Sequence, residues 1–434
     1  MKKIIAMLLA LVMVLSLAAC GQAPAADPTK PAAEPTTPAA DTAADTTTEP
    51  AAEKIALKVW GPSEDQTPQA GHDVSFLEAA CEAFDEAHPE WEIEFVFEVC
   101  SEGDAGTMVT KDPAAAADVY MFANDQLGTL LSANAIARLG GAALEQVKAD
   151  NTDRMISTVT SGDGVYGVPF TINTWFMYYN KSLYTEEDIK SLDAMMEKHP
   201  IAYQVTNTWY MPALYYAVGG SMFGDGTDGS KGIDFGSDKC AAVTLYMAEA
   251  LKSGKMIDDA SGAGLDGLRS GKVGAIFSGT WDADNVKSAL GENYGAAAVP
   301  AITIDGEQYQ MLPFAGSKAI GVNPNSKNMP AATALAAWLG SADMQALHAE
   351  IRNGEVQPIA KSLVEGTENA DPAALAQMDT FNNKSVYQPT IAEMGAYWTN
   401  AGSMGQALAN GEINAENVKD MQAKWNAGIN NSGL

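Results

Sequence analysis

The chain has 434 residues, with 55 acidic against 26 basic side chains, a formal net charge of −29 and a pI of about 4.3. Acidity of that size argues against nucleic acid or an anionic lipid surface as a partner. The cysteines and the four histidines are too far apart for a disulfide framework or a zinc site, so neither a metal nor a cofactor is expected.

Lys2 and Lys3 precede an apolar run from Ile4 to Leu17, which is short for a membrane span. The run ends in Leu17-Ala18-Ala19-Cys20-Gly21, an arrangement that resembles the bacterial lipobox. The resemblance implies that residues 1–19 are a lipoprotein signal peptide and that Cys20 is lipidated. The protein would then be anchored to the extracytoplasmic face of the cell membrane, touching it through the lipid only. Residues 20–53 are mostly Ala, Pro, Thr, Asp and Glu, which cannot bury enough surface to order themselves, and read as a disordered tether. The remaining body of about 380 residues is too long for one compact core, so two lobes are expected.

A strand is predicted from Ile55 to Trp60, then a loop to His72 and a helix from Ser75 to Ala87, whose stripe Leu77, Ala80, Cys81, Phe84 faces a core. Ile93, Phe95, Phe97 and Val99 alternate with glutamates in the manner of a half-buried strand. Asp118–Ala123 is a third strand and Gln126–Ala135 a helix. Strands alternating with helices predict an α/β lobe with a mainly parallel sheet, whose ligand sits beyond the carboxyl ends of the strands. Further strands are expected at Val165–Pro169, Trp175–Tyr179 and Val273–Ser278. Helices are expected at Glu186–Lys198, Lys239–Ser253, Ala331–Leu339, Asp343–Ile351 and Ala415–Ala427. Cys81 is read as a small core residue, with a Cys81–Cys100 bridge the less favoured alternative, and the sequence does not decide whether Cys81, Cys100 and Cys240 are all free.

No HExxH or Gly-x-Ser-x-Gly motif occurs, and Asp225–Gly229 lacks the acid spacing of a calcium loop, which leaves it a surface turn. The positive signal is aromatic: Trp60, Phe122, Trp175, Trp209, Trp281 and Trp398 lie near strand ends or in polar loops. A sugar ring offers a C–H face for stacking and a rim of hydroxyls for Asp, Asn and Gln. Trp91, Trp338 and Trp425 are read as core.

Six segments carry a resemblance to the extracellular solute-binding family that includes the maltose- and maltodextrin-binding proteins: Lys58–Gly61, Asp118–Gly128, Gly167–Phe170 leading to Tyr178–Lys181, Tyr215–Gly220, Gly271–Trp281 and Pro313–Gly321. The resemblance implies an α/β, two-lobe periplasmic-binding-protein (Venus-flytrap) fold with hinge crossings and an interlobe cleft. It places 54–170 with 315–365 in one lobe and 171–313 with 366–434 in the other. Crossings fall near 169–172, near 314–317 and within 363–388. The implied function is a monomeric, non-enzymatic receptor that delivers an oligosaccharide to the permease subunits of an ABC importer. Receptors of this fold for another sugar or a non-sugar solute, and a secreted glycoside hydrolase, are the alternatives. The resemblance maps ligand contacts onto Glu64 or Asp65, Asp125, Trp209, Trp281 and Trp398. Phe122, Gln126 and Asn173 stand where the maltose receptor has tryptophan, arginine and glutamate. The class of ligand survives these replacements; its identity as maltose does not.

Overall fold

The computed structural model describes residues 52–363 and 371–430. The signal peptide, Cys20 and nearly all of the tether lie outside the described residues.

Eleven strands form two large sheets. In chain order they are β1 (Glu53–Gly61), β2 (Trp91–Val99), β3 (Val119–Ala123), β4 (Val168–Asn173), β5 (Phe176–Asn180), β6 (Ile201–Tyr203), β7 (Met256–Asp258), β8 (Ala275–Ser278), β9 (Tyr294–Ala297), β10 (Phe314–Val322) and β11 (Val386–Tyr387). The first sheet runs β2-β1-β3-β10-β11, with β4 also paired to β10; the second runs β7-β6-β8-β5-β9. β1, β2 and β3 are parallel, as are β6, β7 and β8. β10 is antiparallel to β3 and β4, and β5 is antiparallel to β8 and β9. Both sheets are therefore mixed rather than mainly parallel. The cause is connectivity: β5 begins just after the chain has passed into the second lobe, and β10 itself carries the chain back to the first.

The side-chain period of two explains the layering. On β3, Val119 and Met121 enter one core while Tyr120 and Phe122 enter the core on the opposite face. The first of these cores receives the helix Phe76–Ala87 through Phe76, Leu77, Ala80, Cys81 and Phe84, and Ser75 Oγ caps that helix by accepting from Glu78 N. The described cysteines are free and buried. β2 departs from its half-buried reading. Only its first half is covered, and Phe97 and Val99 are exposed because β2 is the sheet edge.

Two connections are continuous in the described chain. β4 runs through Thr174 and Trp175 into β5. β10 starts in the second lobe's core at Phe314 and ends in the first lobe's core at Val322. Thr174 Oγ1 donates to the Phe314 carbonyl at 2.6 Å and ties the two together. A small cluster of Met155, Ile172, Ala315, Ile359 and Phe381 fills the space beside them.

Candidate functional site at the facing strand ends

Strand directions place the site. β10 enters from the second lobe and runs antiparallel to β3, so the carboxyl ends of β1, β2 and β3 point toward that lobe. β5 enters from the first lobe and runs antiparallel to β8, so the carboxyl ends of β8 and its parallel neighbour β6 point back. Loops that follow parallel strands in both lobes thus meet across one cleft, where α/β sheets hold their ligands.

On the second lobe this edge is aromatic. Trp281 lies in the turn Thr280–Asp282 directly after β8, held by a Ser278 Oγ to Asp282 Oδ2 hydrogen bond of 2.5 Å. Its indole folds back over Gly279, where a Cβ would come within 2.0 Å of the ring, so this turn needs glycine. Trp209 lies in the loop after β6, pinned by its backbone N–H to Asn207 Oδ1 at 3.0 Å. The two indoles are 6.1 Å apart and tilted by 41°, and Trp281 is 39% exposed. Trp398, on the helix Met394–Asn400, is part-buried and packs edge-on to Phe314 at 6.2 Å. Its indole nitrogen is buried with no hydrogen-bond partner among the described residues.

On the first lobe the edge is polar. Asp125 and Gln126, in the turn after β3, are part-exposed, and Gln126 Nε2 donates to Asp125 Oδ2 at 2.8 Å. Burial raises the Asp125 pKa above the ordinary range, against the pull of that bond. Glu64, in the turn after β1, is also part-exposed. Asn173 closes β4 opposite Gly316 and is buried.

Three expected contacts at strand ends are core residues instead. Phe122 is fully buried, its ring packed against Gly167 and Tyr120, because it sits on the covered face of β3. Trp175 is fully buried between Tyr210, Tyr203 and Phe277. Trp60 packs in the Tyr120 and Phe122 core and donates to Glu98 at 2.7 Å. Asp65 also turns inward: it accepts from His348 at 2.8 Å and from Arg352 Nη1 at 3.1 Å. Among the described residues no cluster of His, Cys, Asp or Glu could hold a metal ion. Asp225 and Asp228 accept from Thr227 and Ser230 in tight turns.

Residues 79–377 match the family described as bacterial extracellular solute-binding protein. The chain belongs to that family. A galactooligosaccharide-binding protein of Bacillus subtilis (strain 168) is 27% identical over 325 residues, spanning 71% of this chain and 75% of that protein. A maltooligosaccharide ABC transporter solute-binding lipoprotein of Streptococcus pneumoniae (strain ATCC BAA-255 / R6) is 28% identical over 319 residues, spanning 69% and 73%. A solved structure described as "with acarbose" shares 45% identity at a TM-score of 0.83, covering 87% of this chain and 99% of that one. The two-lobe architecture is the fold of the maltose-binding proteins. Membership of this family puts the solute-binding body outside the cytoplasm, and no helix among the described residues is long and apolar enough to cross a membrane.

The solute-binding protein also carries cleft-edge charges that the sequence did not signal. Lys318 of β10 pairs with Glu102 at 2.9 Å, and Arg352 Nη2 reaches Glu355 at 3.3 Å. These partners are over 200 residues apart in the first case, and the second pair lies in the turn after the helix Ala342–Ile351. A lone lysine inside the apolar strand Phe314–Val322 was the one available hint.

Glu355, on the first lobe, faces the Asp284 carboxyl at the start of the second-lobe helix Ala283–Leu290. Burial, then the neighbouring Asp284 carboxyl, push the Glu355 carboxyl up to about 7, with Arg352 opposing. The native state therefore holds this proton more tightly than the unfolded chain. The resulting stability is full below the ordinary glutamate pKa of 4.5 and is lost as pH rises through about 7. Glu355→Gln should accordingly raise unfolding stability at pH 8 by about 1–2 kcal/mol and leave it nearly unchanged at pH 5. Urea titrations of parent and variant at the two pH values check this; equal effects at both would remove the assignment.

Proposed function

We propose that the protein captures an oligosaccharide of the maltodextrin type in this cleft and delivers it to the permease of an ABC importer. Binding is without turnover. The carrying observation is the Trp209–Trp281 pair on one strand-end edge, set across from the carboxylate and amide edge of Glu64, Asp125 and Gln126. Tilted indoles offer stacking faces to successive sugar rings, while Asp125 can accept two hydroxyl hydrogen bonds from one ring. Asn173 and Trp398 complete the proposed contact set. Asp65 and Phe122 support it from below. The names of the relatives, one maltooligosaccharide-binding and one galactooligosaccharide-binding, and the acarbose complex favour this ligand class.

In the same proposal residues 54–170 with 315–365 move as one lobe and 171–313 with 366–434 as the other, about the connections at Thr174–Trp175 and at the start of β10. Ligand contacts with both lobes favour the closed form, which docks on the permease. The protein acts as a monomer held to the membrane by a lipid on Cys20, as the relative named a lipoprotein suggests.

A thermal-shift panel of maltodextrins and galacto-oligosaccharides tests the ligand class. A ligand at one hundred times its dissociation constant adds about 2.7 kcal/mol of stability, enough for a clear shift. A shift with galacto- but not malto-oligosaccharides would turn the reading to the second sugar class. Absence of any shift with carbohydrate would overturn it, and release of new reducing ends would replace it with a hydrolase.

A further inference from the structure

Gln388 follows β11 and is 4% exposed. Its backbone N–H donates to the carbonyl of Ala315 on the crossing strand β10 at 3.1 Å, and its side-chain Oε1 accepts from Trp209 Nε1 at 2.9 Å. An indole nitrogen only donates, so this bond fixes which end of the amide faces Trp209. The oxygen must point to the ring, and the NH2 group must point elsewhere. That group, Nε2, is buried and has no acceptor among the described residues. A buried donor pair without a partner disfavours the arrangement that contains it.

Resting on the oligosaccharide reading above, we propose that Gln388 is a double-acting binding residue. It positions the Trp209 indole for stacking, and it donates Nε2–H to a hydroxyl or ring oxygen of the sugar unit seated on that indole. Among the described residues nothing accepts from this donor. The sugar supplies the acceptor, so this hydrogen bond is gained only in the liganded state. Because Gln388 is bonded to β10, the same contact joins the ligand to the strand that passes between the lobes. The chemistry selects a ligand with an oxygen acceptor close to a stackable apolar face, which describes a pyranose and excludes a flat hydrocarbon.

Calorimetric titration of the full chain with maltotetraose, in a double-mutant cycle, separates the two actions. Gln388→Met keeps the length of the side chain but neither accepts nor donates here. Trp209→Phe keeps a stacking face but has no N–H for Gln388 to hold. Q388M should weaken binding at least about tenfold in the parent and still at least about threefold in the W209F background, because the ligand bond survives loss of the indole N–H. The unliganded thermal midpoint should change little, since the variant removes an unsatisfied group. A loss below about twofold in the parent would overturn the proposal. A tenfold loss in the parent that vanishes with W209F would overturn the donor half and leave only positioning. If the parent itself bound no oligosaccharide, the functional reading would fall first, a result distinct from either.

Discussion

Asp65→Ala should destabilise the protein by about 3–5 kcal/mol, more than any other single change considered for the first lobe. The carboxylate is buried and holds two partners, His348 Nε2 at 2.8 Å and Arg352 Nη1 at 3.1 Å. His348 is itself wedged between Phe76 and Phe170, each ring centroid 4.5 Å away, so it cannot swing out to solvent. Removing Asp65 leaves a buried guanidinium with Glu355 alone and a buried imidazole with none of its present acceptor. Burial by itself would raise the Asp65 pKa, but the charge and hydrogen bond of His348 and then the charge of Arg352 outweigh it and hold the pKa at about 2. A depressed carboxylate pKa contributes stability that is present above the unfolded value of 3.8 and is lost as pH falls through about 2. The gap between parent and variant should therefore be full near pH 6 and narrow on acidification below about pH 4. Guanidinium unfolding across that range measures both effects. A loss under about 1 kcal/mol near neutrality would show that the network is not a structural clasp.

The contrast between Asp65 and Glu64 shows how far the sequence could be read. Both follow a predicted strand and both are acidic, and the sequence left open which of the two faces a ligand. Which of the two turns inward depends on His348 and Arg352, nearly 300 residues later, and no local pattern encodes that. The strand β3 was legible as an unbroken apolar run, buried at every position, and the helix Phe76–Ala87 because its stripe and its Ser75 cap agree. β6, β7, β9 and the helices Ala263–Ser270 and Pro372–Asn383 were not, being short segments that acquire their structure from tertiary pairing. The mixed sheets were missed for the same reason, since strand direction follows from where the chain crosses between lobes. Aromatic residues near strand ends pointed to Trp209 and Trp281, which the fold brings together at one strand-end edge. The same signal failed for Phe122 and Trp175, because a strand end roofed by other elements looks, in sequence, like an open one.

Trp281→Ala should weaken oligosaccharide binding by about 2 kcal/mol or more, roughly thirtyfold, with little effect on folding. The two parts of that expectation have separate causes. The indole is 39% exposed and rests on the backbone of Gly279, so it contributes modest core packing. Its remaining face lies beside Trp209, and the 41° tilt between the rings sets two stacking planes rather than one. Loss of either plane removes contact with a sugar unit and also loosens the other ring, whose only polar anchor is Gln388. Trp281→Phe should recover part of the affinity, because a smaller ring still presents an apolar face to C–H groups. Calorimetry with maltotetraose on the three proteins, with thermal melts as the control, orders them parent, Phe, Ala. Affinity of the alanine variant within about twofold of the parent would take Trp281 out of the site. Ligand contact on the second lobe would then fall to Trp209 and Trp398, and the tilted pair would be a packing feature of the turn after β8.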